Sequence, residues 1–150
     1  MKALVIIDVQ NDFLKNGSLE VPNGNDVIEP INKIIKNYAL VVATKDWHPL
    51  DHVSFVSNHQ GKKIGDLVKV NNLDQILWPV HCVQESKGSD FPTTLNIKAI
   101  NKIIYKGTNS QIDSYSGFHD NSKTHSTGLS DYLKAKNFTS IDYVGLVTEY

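Results

Sequence analysis

The sequence predicts an α/β fold built on a parallel sheet, and two observations carry that expectation. Four short apolar runs, Ala3-Leu4-Val5-Ile6-Ile7, Leu40-Val41-Val42-Ala43, Ile103-Ile104-Tyr105 and Tyr143-Val144-Gly145-Leu146-Val147, do not alternate apolar with polar residues. Strands covered on both faces read this way. Apolar residues at helical spacing lie between the runs. Strand, helix and strand in alternation give parallel strands joined by right-handed crossovers.

The first run closes at Asp8, too soon for the apolar core of a secretion signal or a membrane span. Val27, Ile28, Ile31, Ile34 and Ile35 then recur at helical spacing. Asp26 is placed to cap that helix, with Glu29 three residues on. Pro30 stands near its start, where a missing N–H costs least. The connection from Thr44 to Asn101 is rich in His, Asn, Asp, Gly and Pro and holds both tryptophans. So long a stretch with little regular pattern is a functional loop or disordered. Its aromatic anchors, Trp47, Phe55, Trp78 and Phe91, argue for order. Leu129, Tyr132 and Leu133 mark a second helix, and Asn137 is a suitable stop.

The 150 residues read as one domain, 1–150. A net charge of -1, with no long run of one sign, excludes a nucleic-acid groove and an anionic-membrane surface. The one cysteine, Cys82, excludes an intramolecular disulfide and fits a reducing compartment. The chain therefore reads as cytoplasmic, with a small molecule as its partner.

Ligands of open α/β sheets bind outside the carboxyl ends of the strands. The runs are followed by Asp8, by Thr44-Lys45-Asp46-Trp47-His48, by Lys106-Gly107 and by Thr148-Glu149-Tyr150. Asp8, Asp46, His48 and Lys106 are thus expected at one sheet edge. A carboxylate at the end of a buried strand needs a partner, and Lys106 is placed to supply it. Such a pair is either a proton acceptor with a charge stabiliser or a plain ion pair. Asp46-x-His48, with His52 after it and His81 in Trp78-Pro79-Val80-His81-Cys82, offers one carboxylate and imidazoles. That donor set suits zinc, iron or manganese. His59, His119 and His125 are expected at the surface. Cys82 reads as a small buried apolar residue rather than a nucleophile, because no acid–base pair adjoins it.

These residues resemble the nicotinamidase family of the isochorismatase-like hydrolases. Asp8-Val9-Gln10-Asn11-Asp12-Phe13 with Gly17-Ser18-Leu19 is similar to the opening of that family. Lys45-Asp46-Trp47-His48-Pro49 and Trp78-Pro79-Val80-His81-Cys82-Val83-Gln84 resemble its two metal motifs. Lys106-Gly107, Asp113-Ser114-Tyr115-Ser116-Gly117-Phe118 and Gly145-Leu146-Val147-Thr148-Glu149-Tyr150 match its catalytic segments. The resemblance implies a three-layer α/β/α fold and hydrolysis of nicotinamide to nicotinate and ammonia in NAD salvage. It implies a triad of Asp8, Lys106 and a cysteine, with one divalent metal ion on Asp46, His48 and His81. His52 ligates in some members and stands behind the metal in others. Phe13 and Trp78 match positions that stack on the pyridine ring. Val147 matches a position beside the oxyanion hole, next to a cis bond that would here join Leu146 and Val147. Assembly into a homo-oligomer stays open. The family pattern continues Tyr-Cys, whereas the sequence ends at Tyr150. The expectation is a chain lacking the nucleophile and the C-terminal strands, inactive alone, with strand four at an edge. A non-catalytic remnant binding metal and pyridine carboxamides is one alternative, and a hydrolase of another small amide is the other.

Overall fold

A computed structural model of the chain describes residues 2–138 and 140–148. The apolar runs form four parallel strands: β1 (Lys2–Ile7), β2 (Leu40–Asp46), β5 (Lys102–Lys106) and β6 (Ser140–Gly145). They lie in the order β5-β2-β1-β6. Two helices, α1 (Ile28–Ile34) and α2 (Leu129–Ala135), lie in the crossovers from β1 to β2 and from β5 to β6. Side chains of a strand alternate between faces, and the core divides accordingly. Leu4, Ile6, Val41 and Ala43 pack with Ile28 and Ile31 of α1. Ala3, Val5, Leu40 and Val42 pack with Leu129 and Leu133 of α2. The result is the three-layer α/β/α arrangement, with β1 and β2 covered on both sides.

Three local expectations are corrected. Asp26 does not cap α1. The chain enters that helix through a 3-10 turn, Gly24–Val27, so Asp26 already lies within helical backbone and Val27 holds the cap position without a side-chain bond. The fourth run does not remain strand to Val147. Gly145 (φ 130°) approaches Ile7 so closely that a Cβ there would sit 2.2 Å from the Ile7 carbonyl oxygen. Leu146 N donates to that same oxygen at 3.0 Å, and the chain turns away. The bond between Leu146 and Val147 is trans, and the turn is made instead by positive φ at Gly145 and Val147 (51°).

The 44–101 connection is ordered and includes an antiparallel hairpin, β3 (Leu67–Val70) and β4 (Leu73–Ile76). Asn71 and Asn72 both take positive φ, 50° and 64°. That is the conformation a two-residue hairpin turn demands and asparagine tolerates. Asn137 ends α2 at φ 56°, as expected for a left-handed C-terminal residue.

Leu133 is 4% exposed between α2 and the sheet. Leu133→Ala is expected to cost about 2–5 kcal/mol, read as a lower urea midpoint.

Candidate active site

Three strands deliver their last residues to one place. Asp46 ends β2 directly opposite Lys106, which ends β5. Asp8 follows β1 with φ 47°, turning its side chain over the sheet edge. The Lys106 ammonium lies 2.9 Å from Asp8 Oδ2 and donates as well to Asp46 Oδ1 and, at 3.0 Å, to the Ser114 carbonyl. An ammonium has three protons, and each has an acceptor. Asp8 Oδ1 accepts the Thr44 hydroxyl at 2.6 Å. All four side chains are buried. Burial alone would lower Lys106, but Asp46 and Asp8 outweigh it and push the ammonium above its usual range. Burial raises Asp8 above the usual carboxylate range, with Lys106 opposing and Asp46 assisting. Burial would raise Asp46 too, yet Lys106 and then His48 hold it well below that range.

The two histidine segments meet through backbone. His48 N donates to the Cys82 carbonyl at 3.0 Å, and Gln84 N donates to the His48 carbonyl at 2.9 Å. This parallel bridge sets His81 beside His48, with ring centroids 5.0 Å apart. His48 Nδ1 is 2.8 Å from the Gly107 carbonyl and His81 Nδ1 is 2.7 Å from the Pro79 carbonyl. A carbonyl can only accept, so each Nδ1 carries a proton, and in the neutral ring Nε2 keeps its lone pair. Those Nε2 atoms lie 3.5 Å and 3.8 Å from Asp46 Oδ2. Donor atoms of Asp46, His48 and His81 all fall within 4.8 Å of one another. One carboxylate and two neutral imidazoles, each ring fixed by a carbonyl behind it, fit a divalent cation with positions left open. Gly107 is required here. Its φ is 62°, and a Cβ would lie 2.3 Å from His48 Cε1.

His52 stacks on His48 at 4.1 Å between centroids and stands outside that donor set. Its Nδ1 is 2.7 Å from Ser54 Oγ, and its Nε2 has no hydrogen-bond partner among the described residues. His48, His52 and Asp113 form a second set with donors within reach of one another. Both sets need His48, whose single free ring nitrogen serves one ion.

The strand ends open into a cavity of about 370 Å³ lined by Asp8, Asp46, His48, His81 and Lys106. Phe13, Trp78 and Val147 line it too, so the structure brings every expected site residue to one cavity. Trp78 Nε1 donates to the Tyr115 hydroxyl at 3.3 Å. Cys82 is buried in the core under α1. Burial, then Asp46, pushes its thiol far up, and it does not line the cavity. His125 is exposed, whereas His59 and His119 are half-buried, facing the carbonyls of Val53 and Asp120.

Sequence reasoning gave Thr44 no role, and it placed Asp113 and Tyr115 in a family-matching segment without a role for either. Asp113 is buried, accepts Ser114 N and Gln75 Nε2 at 2.8 Å and 3.2 Å, and lines the cavity with Tyr115. Apart from the family-matching segment that Asp113 opens, nothing in its local pattern marks it as a buried acid. Thr44 carried a usable signal, since it is a hydroxyl inside an apolar strand beside a predicted strand-end acid.

Cys82 is expected to resist a disulfide reagent such as Ellman's in the folded protein and to react fully in urea. Burial, assisted by His48, pushes His52 down to about 4 from an ordinary 6.5. Burial also lowers His81. Between those pH values the unfolded chain takes up the protons and the folded chain does not, so stability is full above 6.5 and falls toward 4. His48, held above its ordinary value by Asp46 despite burial, opposes this in part. Urea midpoints at pH 7 and pH 5 should show the fall, and His52→Gln should flatten it.

The model of the isochorismatase domain matches residues 2–150. The chain is 38% identical over 148 residues to the nicotinamidase of Acinetobacter baylyi, covering 99% of this chain and 69% of that protein. It is similar in structure to a nicotinamidase/pyrazinamidase of Acinetobacter baumanii. The TM-score there is 0.95 and the identity 40%, over 99% of this chain and 72% of that one. A pyrazinamidase of Pyrococcus horikoshii in complex with zinc is similar at a TM-score of 0.75 and 33% identity, over 99% of this chain and 72% of that one.

Proposed function

We propose that this chain, which belongs to the isochorismatase domain family and stands among its nicotinamidases, serves the hydrolysis of nicotinamide to nicotinate and ammonia. The observation that carries this reading is Lys106. It bonds two carboxylates of which one, Asp46, also faces two imidazoles, all on a single cavity of about 370 Å³ with room for a pyridine carboxamide.

In this reading Asp46, His48 and His81 hold one divalent ion, with zinc favoured by the zinc complex of the Pyrococcus horikoshii relative. Bound there, the ion supplies a Lewis acid for the ring nitrogen. Phe13 and Trp78 take the faces of the ring. Asp8, a carboxylate raised by burial, accepts the proton of an attacking thiol, and Lys106 stabilises the charge that results. The thiolate adds to the carboxamide carbon while backbone N–H groups near Val147 hold the oxyanion. Ammonia leaves with a proton returned through Asp8, and water then cleaves the thioester to nicotinate and the free thiol. The family resemblance assigns the thiol to a cysteine following Tyr150. Cys82, buried in the core and not lining the cavity, does not fit that role.

Binding at this site can be tested apart from turnover. Calorimetry with zinc, then with nicotinamide, tests the site. Heat is expected from both in the wild type. Asp46→Ala should lose the zinc heat, and Trp78→Ala should weaken nicotinamide binding by about tenfold or more, the scale of a buried aromatic contact. No heat from either ligand in the wild type rejects the reading. Ammonia release from nicotinamide by protein that carries the nucleophilic cysteine, expected to be lost in Lys106→Ala, tests the chemistry.

A further inference from the structure

We propose that Gln10 is the positioning residue that aims Asp46, taking the place of a sheet rung that β1 does not supply. This rests on the cation site proposed above. Strand β2 outruns β1. Their pairing ends at Ile6 and Ala43, whereas β2 continues to Asp46 beside β5. Strand β1 leaves the sheet because Asp8 takes φ 47° and Gln10 N closes a tight turn onto the Asp8 carbonyl at 2.8 Å. The peptide groups of Asp46 would then face a gap, and buried peptide groups without partners are costly.

The Gln10 side chain fills the gap. A primary amide carries the same donor and acceptor as a peptide. Gln10 Oε1 accepts Asp46 N at 2.8 Å, and Gln10 Nε2 donates to the Asp46 carbonyl at 2.8 Å. The second Nε2 proton goes to the Ser89 carbonyl at 3.0 Å. Gln10 is 0% exposed. With its backbone held on both sides, Asp46 has one direction for its carboxylate, Oδ1 toward Lys106 and Oδ2 toward His48 and His81. The bond to Ser89 ties the same amide to the segment that follows His81. Asp12, two residues on, fixes that segment from its other end, its Oδ2 accepting Cys82 N at 2.7 Å. Gln10 lines neither the cavity nor the donor set, so its effect on the cation is exerted through Asp46.

The test is zinc affinity of the purified 150-residue protein, by competition with a chromophoric chelator, for wild type, Gln10→Met, Gln10→Asn and Leu133→Ala. Methionine keeps the volume and drops every hydrogen bond; asparagine keeps the amide and falls one methylene short. Leu133→Ala lowers stability from the opposite core layer. Both Gln10 variants are expected to bind zinc about 10-fold more weakly than Leu133→Ala, the scale for outer partners of metal ligands. The visible spectrum of cobalt(II) in place of zinc should also shift, as a loss of stability alone would not make it do. A folded Gln10 variant that binds zinc as tightly as Leu133→Ala, with an unchanged cobalt spectrum, overturns the proposal. If neither variant folds, Gln10 is a structural residue and the proposal falls as well. A wild type that binds neither metal removes the cation site itself, a failure distinguishable from the others because it precedes any substitution.

Discussion

A buried ammonium governs this site. Lys106 cannot leave water without partners, since an unpaired buried charge costs several kcal/mol. Its three protons go to Asp8, Asp46 and the Ser114 carbonyl. Meeting that demand requires Asp8, just past the end of β1, to meet Asp46 and Lys106 at the ends of β2 and β5, which constrains the relative register of the three strands. It also requires the 107–114 segment to fold back so that Ser114 can reach over its own strand. The position of Asp46 follows, and with it the position of the two histidines. The acid–lysine pair and the imidazole cluster are therefore one electrostatic unit, joined through the two oxygens of a single carboxylate.

The parts of this unit that were legible in the sequence are those written as strand pattern. Ala3–Ile7 and Leu40–Ala43 read as buried strands because both of their faces are apolar, and residues closing such strands fall at the carboxyl edge. Asp8 and Lys106 could be paired on that ground alone. The bond between Lys106 and Asp46 could not, because it depends on register, and a continuous apolar run carries no register mark. The hairpin at 67–76 was missed for a related reason. Its strands are short and mostly half-buried or exposed, and its one mark was the Asn71-Asn72 pair.

The 44–101 connection illustrates a different limit. Its order comes from backbone bridges, His48 to Val83 and Phe55 to Trp78, and from side chains spent on distant peptide groups. Asn11 Nδ2 donates to the Lys87 carbonyl, Gln10 to Asp46 and Ser89, and Gln84 Nε2 to the Trp47 carbonyl. Bonds of this kind satisfy loop backbone without regular structure, and they leave no period for a sequence reading to find. The aromatic anchors gave a true sign of order but could not say which segments would touch.

One lysine also divides the work of two carboxylates. Asp8 and Asp46 both bond Lys106 and are both buried, yet they are displaced in opposite directions. The difference lies in what each meets besides the ammonium. Asp8 has the Thr44 hydroxyl and the neighbouring negative charge of Asp46, so burial prevails and its affinity for a proton rises. Asp46 has two imidazoles as well, and its affinity for a proton falls. Two acids whose environments push them apart take separate roles at one pH. In the proposed reading Asp46, its proton affinity lowered, is the anion suited to hold a cation. Asp8, its proton affinity raised, is the group suited to take the proton of a thiol. Neither role could be exchanged without moving the histidines to β1, where the chain turns away at Asp8 and leaves no strand to carry them.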